Sequence, residues 1–335
     1  MRIAGKEAIV EECDIGRPLA ERKPWPKHCG GMSGRLPKRA ILIVNAKSRQ
    51  GALAFDEAVE KLAAAGVDLI EAHAVKDSRR MGSTIRKAVK AAPMVIVGGG
   101  DGSLSKAVDY FLGSKTVFGA LPLGTANSFA RTLGMPLDLD GAIEVLVKGE
   151  PRPIDLGCID GDYFLNNAAL GIAPIVAETV PDPLKKRLGR LGYLVWAGVS
   201  AASFNAFRLT IDDGNRTHRL WATEVRIANG RFHGGVELIE KADVESGEII
   251  IQAVSGRSLL RLGWNYAASL MRHRSRRETV REFRGRELRI STKPKMRVSI
   301  DGELGPETPF TAGVAPAAVV VAAPKESAKT SKRGG

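Results

Sequence analysis

Residues 94–104, MVIVGGGDGSL, decide the fold class of this chain. An apolar strand runs into consecutive glycines, and a helical pattern follows over 104–112. The alternation continues on both sides, with strands predicted at 40–44, 67–74 and 117–121 and helices at 54–65, 82–91 and 126–133. Strands that alternate with helices predict an α/β domain with a parallel sheet, whose functional residues lie at the carboxyl ends of the strands.

The second half of the chain has a different pattern. Short strands replace the alternation beyond Pro151, at 162–166, 207–211, 220–228, 249–253, 287–291 and 297–300, with helical patterns near 189–203 and 257–272. The length of 335 residues also favours two domains. We therefore predict a flexible extension at 1–36, an α/β domain at 37–150, a mainly β domain at 151–304, a return toward the first domain at 305–324 and a disordered basic tail at 325–335.

Composition and charge limit the class of function. The chain is 44% hydrophobic with 37 glycines, as expected of a globular α/β protein, and its three cysteines form no C-x-x-C pair that would support a zinc site. The net charge of +13 predicts an anionic partner, which leaves a nucleotide, nucleic acid or an acidic membrane surface. The N-terminus lacks the apolar run of a signal peptide, and the uncharged stretch 191–207 is short for a membrane span, so we expect a cytoplasmic protein.

The glycine-rich turn at 99–103 carries the sharpest chemical signal. Glycines let the backbone approach a phosphate closely, and the N–H groups at the start of the following helix point toward an anion. A carboxylate at Asp101 makes sense beside phosphates when it binds Mg²⁺ or accepts a proton. A purely structural turn would not need that carboxylate, and the spacing matches neither a Walker A loop nor the G-x-G-x-x-G pattern.

A second loop at 121–131, LPLGTANSFAR, also ends a strand and opens a helix, and it offers Thr125 and Asn127 as hydroxyl and amide donors. Together the two loops resemble the catalytic domain of the diacylglycerol kinase, sphingosine kinase and bacterial lipid kinase family, whose signatures are GGDGT and P-x-G-T-x-N-D-F-A-R. The resemblance extends over about residues 39–324 and includes, in order, 45–51 (NAKSRQG), 154–157 (IDLG), 164–166 (FLN), 188–193 (LGRLGY) and 299–303 (SIDGE).

The resemblance implies an enzyme that transfers the γ-phosphoryl group of ATP, with Mg²⁺, to the hydroxyl of a membrane lipid. It implies a first domain with the α/β nucleotide-binding fold shared with NAD kinases and phosphofructokinases, a second domain that is a β-sandwich, and an active site in the cleft between them. The residues expected at ATP are Asn45, Ser48, Gly99, Gly100, Asp101, Gly102, Ser103, Gly124, Thr125 and Asn127.

Two carboxylates near the end of the chain complete the predicted site. Taken alone, the sequence Asp301-Gly302-Glu303 is typical of an ordinary hairpin turn. The resemblance makes Glu303 the expected proton acceptor, with Asp101 and Asp301 near Mg²⁺ or as alternative bases. A hydroxyl acceptor has a pKa far above neutral, so its attack is helped by such a positioned carboxylate.

The chain departs from the family pattern at several positions. Ser103 keeps the hydroxyl of the usual Thr, but Ser128 replaces the Asp of the N-D-F-A-R segment. Arg49 stands in place of Gly, Lys106 stands in place of a frequent acidic residue, and no Thr lies between Ala74 and Asp77. Near Asp243, Ser246 stands in place of an Asp that holds a structural Mg²⁺ in some bacterial members. They make that second metal site doubtful and leave a weakly active relative as an alternative.

A run of arginines follows the apolar helical pattern at 257–272. Arginines beside a Trp fit binding to an anionic membrane surface, although a solvated face is an equal alternative. The expected membrane residues are Trp264, Arg272, Arg274, Arg276 and Arg277, in a cluster that continues through Arg281, Arg284, Arg286 and Arg289. We therefore expect a peripheral association with the membrane.

Rival functions stay open at the level of sequence. An NAD kinase shares the G-G-D-G loop, and a basic nucleic-acid or membrane binding module fits the charge, although no recognised nucleic-acid motif is present. The sequence does not determine whether the lipid is diacylglycerol, a sphingoid base or another long-chain alcohol. It leaves the oligomeric state open as well, a homodimer included.

Overall fold

The computed structural model describes residues 34–47, 49–171, 206–256 and 280–325. The chain divides into two compact units. The α/β unit contains the described parts of Lys27–Ile154, Phe232–Val236 and Ala317–Gly335, and the β unit contains those of Asp155–Arg231 and Glu237–Pro316. The predicted fold class, a parallel α/β domain and a mainly β domain, is confirmed.

The α/β unit is built on a parallel sheet. Its strands are β1 (Arg39–Asn45), β2 (Asp68–Val75), β3 (Met94–Gly99) and β4 (Val117–Pro122). They pair in parallel in the order β4-β3-β1-β2, and the end of β17 (Phe310–Ala323) joins β4 in parallel through Val321 and Phe118. The helices of this unit are α1 (Arg49–Ala64), α2 (Ser78–Ala91), α3 (Asp101–Val108), α4 (Ser128–Thr132) and α5 (Leu139–Lys148).

Burial explains the continuous apolar runs of this sheet. Strand β3 is buried along its whole length. On one face Leu42 and Ile96 pack in a core cluster with Leu62 of α1 and Leu146 of α5. A parallel strand that is covered on both faces needs apolar side chains at successive positions, because neither face meets water.

The β unit is antiparallel. Its strands are β5 (Glu150–Ile159), β6 (Asp162–Phe164), β7 (Asn167–Gly171), β8 (Phe207–Asp212), β9 (Thr217–Ala228), β12 (Ile249–Ser255), β13 (Val280–Gly285), β14 (Glu287–Lys293), β15 (Arg297–Ile300) and β16 (Glu303–Glu307). The sheet order is β16-β15-β7-β9-β8-β14-β17, and β12 pairs with both β9 and β13. The short strands β10 (Phe232–His233) and β11 (Val236–Glu237) form a separate hairpin.

Strand β8 shows the alternation expected of a sheet with one face in the core. Phe207, Leu209 and Ile211 are buried in the apolar cluster of the β unit, whereas Arg208 between them is exposed. Successive side chains of a strand point to opposite faces, so one register buries every apolar residue.

Four predicted helix starts are wrong. Helix α2 was expected from 82 but begins at Ser78, because Asp77 caps it. The other three starts lie where the loops of the predicted site end. Helix α1 was expected from 54 but begins at Arg49, so Gly51 lies inside the helix and the predicted nucleotide loop at 45–51 is shorter. Helix α3 begins at Asp101 instead of 104, because extended Gly100 is its N-cap. Helix α4 begins at Ser128 instead of 126, because Asn127 has left-handed backbone angles, with φ 47 and ψ 46.

Other differences concern strands. The strand predicted at 162–166 ends at Phe164 as β6, and helix α5 and strands β5, β7, β10, β11, β13 and β16 were not predicted. The predicted helices near 189–203 and 257–272, the 188–193 motif, residues 1–33 of the extension and most of the tail lie outside the described residues. Over the ranges that are described, no helix has the length and apolar character needed to cross a bilayer.

Candidate active site

The predicted nucleotide residues lie at one edge of the α/β sheet. Strand β1 ends at Asn45, β3 at Gly99 and β4 at Pro122. Because β1, β3 and β4 are adjacent and parallel, their carboxyl ends meet at the same edge. The structure thus brings together the first loop and the second loop that the sequence singled out.

Asn45 and Ser103 connect the end of β1 to the glycine-rich loop. The Asn45 amide Nδ2 donates a hydrogen bond of 2.8 Å to Ser103 Oγ. Gly99 lies between them, and a Cβ there would approach Ser103 Cβ to 2.6 Å, which is closer than non-bonded carbons allow. Glycine at 99 is therefore required by packing within the loop itself. Ser48, which was predicted beside Asn45, lies outside the described residues.

The two loops touch each other through backbone. A Cβ on Gly124 would lie 2.5 Å from Gly100 Cα, so the second loop cannot carry a side chain here without moving the first, whereas a Cβ on Gly100 would make a tight contact of 3.3 Å with Gly124 Cα. The Leu123 N–H also donates to the Gly99 carbonyl over 3.0 Å. The spacing of the two loops is thus set by a contact between two glycines.

Asn127 organises the second loop from inside. It is buried, its Oδ1 accepts from the Gly124 N–H at 2.9 Å, and its Nδ2 donates to the carbonyls of Pro122 at 3.2 Å and Gly124 at 2.9 Å. The sequence suggested this amide as a donor to a ligand, but these bonds direct it to its own loop. Thr125 at the tip is exposed.

Asp101 joins the first loop to the start of α4. Its Oδ1 accepts a hydrogen bond of 3.0 Å from the Phe129 N–H. The aspartate is half-buried in the first turn of α3, and no described residue donates to its second carboxylate oxygen. One oxygen therefore holds the two loops together, and the other is available for a ligand.

The sequence did not identify the contact made by Ser128. Its buried Oγ accepts from the Gly235 N–H at 3.1 Å, so the β10–β11 hairpin rests on the start of α4. Gly235 has a φ of +80, and a Cβ there would lie 3.2 Å from the Ala126 carbonyl oxygen. The consecutive glycines at 234–235 were the available signal for this close approach. Serine in place of the family aspartate keeps an oxygen acceptor at this point.

The segment after β2, which lacks the frequent threonine of the family, begins α2. Asp77 is the N-cap of that helix and accepts from the Arg79 N–H at 3.0 Å. Hydrogen bonds from the Arg79 side chain and backbone lower the pKa of the Asp77 carboxyl from its ordinary value. Lys106 is exposed in the last turn of α3, where a cation is favoured by the helix dipole.

In the β unit, Asp301 and Gly302 form the turn of the β15–β16 hairpin. Both have positive φ, 44 and 89, as a two-residue type I′ turn requires. The Asp301 carboxylate accepts from the N–H groups of Leu165, Asn166 and Asn167 at 2.9, 3.3 and 3.1 Å. This aspartate therefore joins two of the predicted motifs, 164–166 and 299–303. Glu303, the first residue of β16, is exposed.

Both the α/β region and the β region of the chain match known protein domains. Residues 39–159 match the diacylglycerol kinase catalytic domain, and residues 167–323 match the YegS C-terminal NAD kinase beta sandwich-like domain. A Chromohalobacter salexigens protein named "Probable lipid kinase YegS-like" is 31% identical over 298 residues, which cover 86% of this chain and 94% of that protein. The chain belongs to this lipid kinase family.

Two less similar proteins, both named as diacylglycerol kinases, also match most of the chain. A Staphylococcus aureus diacylglycerol kinase is 26% identical over 281 residues, which cover 81% of this chain and 88% of the relative. The fold matches that of the crystal structure of a Bacillus anthracis diacylglycerol kinase, with a TM-score of 0.68 at 21% identity over 85% of this chain and 97% of that one. The lipid branch is thereby favoured over the NAD kinase that the G-G-D-G loop left open.

The residues at the expected structural Mg²⁺ site of this lipid kinase do not fit a metal ion. The Ser246 hydroxyl donates to the carbonyls of Asp243 at 2.7 Å and Glu248 at 3.1 Å, and Asp243 Oδ1 accepts from the Glu245 N–H. The buried Asp155 carboxylate accepts from the Gly247 N–H at 2.6 Å. Hydrogen bonds thus close this turn. In the described part of the chain, no three histidine, cysteine or acidic side chains converge as metal ligands.

The predicted membrane residues Trp264, Arg272, Arg274, Arg276 and Arg277 lie outside the described residues. Of the rest of the cluster, Arg281 and Arg284 lie in β13, Arg289 lies in β14, and Arg286 lies between the two strands. Arg284 pairs with Glu282 at 2.8 Å. Burial opposes the ionisation of Glu282, but hydrogen bonds from Arg284 and Gln252 and the charge of Lys241 leave the pKa of its carboxyl lowered. Part of this cluster is therefore neutralised within the protein.

The glycine contact between the loops predicts different effects for two substitutions. Gly124→Ala forces a methyl group against Gly100, and overpacking of about 1–3 kcal/mol should weaken ATP binding by about tenfold and lower the unfolding temperature. Gly102→Ala meets no atom within 4 Å and lies in α3, where alanine favours a helix, so it should not lower the unfolding temperature and should weaken only ATP binding. Calorimetric titration and thermal unfolding of both variants measure these effects. If both variants had the same unfolding temperature and the same affinity for ATP, the proposed contact between Gly100 and Gly124 would be contradicted.

The hydrogen bonds of Asp301 predict a second contrast. Asp301→Asn replaces a carboxylate oxygen by an NH₂ group that cannot accept from Leu165–Asn167, so it should reduce stability by about 1–3 kcal/mol as well as activity. Glu303→Gln keeps the shape and one carbonyl oxygen of an exposed side chain, so it should reduce activity and cost less stability than Asp301→Asn. Urea unfolding and a kinase assay separate these outcomes. If Glu303→Gln lost as much stability as Asp301→Asn, the hydrogen bonds of Asp301 would not be what stabilises this turn.

Proposed function

We propose that this kinase transfers the γ-phosphoryl group of ATP to the hydroxyl of a membrane lipid, either diacylglycerol or a sphingoid or related long-chain alcohol. The observation that carries the proposal is the pair of glycine loops in direct contact at one edge of the sheet, with Asp101 between them. Kinases of the diacylglycerol kinase family use ATP. The two loops supply what a bound polyphosphate needs, which is exposed backbone N–H groups and little side-chain bulk.

The start of α3 is the proposed phosphate cradle. The first internal bonds of this helix run from Ser103 N and Leu104 N to the Gly100 carbonyl, so the N–H groups of Asp101 and Gly102 precede them. A side chain at Gly102 would meet no protein atom within 4 Å, which leaves that space for a phosphate. Thr125, exposed at the tip of the second loop, is the proposed hydroxyl contact to the nucleotide.

Asp101 fits a catalytic Mg²⁺. Magnesium in kinases is held by one or two carboxylates together with substrate phosphates, and Asp101 has one oxygen committed to Phe129 and a second oxygen without a donor from the described residues. When bound, Mg²⁺ would neutralise charge on the phosphates. The hydrogen bond from Phe129 would hold the carboxylate in one orientation.

In the β unit, we propose Glu303 as the proton acceptor and Asp301 as its positioning residue. The carboxylate of Asp301 is engaged with backbone N–H groups at Leu165–Asn167, which supports a role in holding the turn. Exposed Glu303 follows that turn directly. A fixed carboxylate lowers the barrier for a hydroxyl nucleophile whose pKa lies far above neutral.

The substrate class can be tested by direct labelling. Purified protein should transfer label from γ-labelled ATP, with Mg²⁺, to a product of a lipid extract that partitions into organic solvent. Diacylglycerol is the first pure lipid to test, because the Staphylococcus aureus relative is named for it, and sphingoid bases come next. A parallel reaction with NAD is the control. Labelled NADP without labelled lipid would overturn the proposal.

Asp101→Asn should abolish turnover while the fold remains intact. The amide keeps the shape of the side chain and its carbonyl oxygen can still accept from Phe129, but it binds Mg²⁺ weakly and accepts no proton. We expect a loss of about 10²-fold or more in turnover, the scale of a positioned acid–base group. Thermal unfolding verifies the fold, and Ser83→Ala on the exposed surface of α2 is a matched control. Wild-type turnover by a folded Asp101→Asn would remove Asp101 from the mechanism.

A further inference from the structure

The outer face of three neighbouring strands in the β unit has an unusual charge pattern. Strands β9, β8 and β14 are adjacent and antiparallel, and their inner side chains, such as Leu209 and Ile290, belong to the apolar core. The pairing register places the outer side chains of these strands in three rows across the sheet. The first row is Trp221, Arg208 and Lys293, the second is Arg219, Thr210 and Ser291, and the third is Thr217, Asp212 and Arg289. We call these nine residues the cationic face.

Positive charge dominates the cationic face. Arg208, Arg219, Arg289 and Lys293 are exposed, and no ion pair of these four side chains is found in the described ranges. The one acidic residue, Asp212, lies opposite Arg289, and its Oδ1 also accepts from the Gly214 N–H at 3.0 Å. The hydroxyl residues between them add no negative charge.

Two of the cations directly oppose each other. Arg208 of β8 is the register partner of Lys293 of β14. Like charges at directly opposed positions of an antiparallel pair destabilise a sheet, whereas opposite charges there stabilise it. The arrangement is therefore unfavourable in isolation, and an anionic surface placed over both side chains would remove the repulsion.

An aromatic ring lies beside these charges. Trp221 is half-buried, and the Arg208 guanidinium carbon stands 5.3 Å from its ring centroid. Tryptophans that are partly buried and partly exposed to solvent are typical of the boundary between lipid and water. Arginine stacked on such a ring keeps its outer N–H groups available to a phosphate.

We propose that the cationic face docks this kinase on an anionic lipid bilayer. The proposal rests on the proposed function, since a substrate that resides in a membrane brings the enzyme to a membrane surface. The face shares Arg289 with the arginine cluster that the sequence favoured but includes none of the arginines at 272–277. A bilayer is preferred over nucleic acid as the partner because the chain belongs to a family of lipid kinases and carries no recognised nucleic-acid motif.

The test compares two double variants of the full chain that remove the same number of charges. Arg208→Gln with Lys293→Gln removes the opposed pair, and Lys87→Gln with Lys90→Gln removes two exposed lysines of α2. Co-sedimentation uses vesicles of phosphatidylcholine with and without phosphatidylglycerol. The first variant should bind phosphatidylglycerol vesicles about 30-fold more weakly, at about 1 kcal/mol per cation, and the second should bind like the wild type. Wild-type binding should also fall as salt rises.

Vesicle binding, affinity for a DNA duplex and turnover of a soluble substrate are measured to distinguish the outcomes. Loss of binding in both double variants, or in neither, would overturn the cationic face as the docking surface. So would a loss of affinity for a DNA duplex in Arg208→Gln/Lys293→Gln with vesicle binding unchanged. Turnover of a short-chain, water-soluble diacylglycerol reports the proposed function by itself. If neither this substrate nor a short-chain sphingoid base is phosphorylated by a protein whose vesicle binding depends on the cationic face, the function is rejected and the docking surface is retained.

Discussion

The candidate site depends on a contact between two backbones that carry no side chains. Gly100 ends the loop after β3, Gly124 lies in the loop after β4, and a methyl group on Gly124 would enter the space of Gly100. Adjacent parallel strands lie only about 4.8 Å apart, so loops that leave their carboxyl ends converge unless side chains separate them. Glycine at both positions lets the two loops approach each other, so the two segments proposed to bind the nucleotide form one surface.

The other interactions of the α/β unit preserve this contact. Asn127 ties the second loop to itself, Asp101 ties the first loop to α4, and Ser128 ties α4 to the β10–β11 hairpin. Each uses a polar side chain and a backbone group, and a buried polar group that lacks a partner is costly. The loops are thus held in place before any ligand binds, which limits the entropy lost on binding. In the β unit the carboxylate of Asp301 has an equivalent role at the 164–166 segment.

The sequence predicted the elements whose periodicity was clear. The buried strand at 94–99 and the amphipathic pattern of β8 appear as expected, because burial dictates which residues are apolar. It failed at helix starts, since the backbone of Asn127 and the cap at Gly100 depend on contacts outside the local sequence. The hydrogen bonds of Asn127 to its own loop were not predictable either, because a side-chain amide has no intrinsic direction until its partners are known.

The amino-acid sequence by itself determined the family, the order of α/β and β regions, and the positions of both glycine loops. The order of the regions and the positions of the loops follow from composition and spacing along the chain, whereas the family follows from the resemblance of these loops and the later motifs to known signatures. Only the tertiary structure decided which polar side chains are committed to the protein, such as Asp301 and Asn127, and which opposing residues share one face, such as Arg208 and Lys293. The physical reason is that hydrogen bonds and charge repulsion act over a few ångströms in space, between residues that the sequence separates by tens of positions.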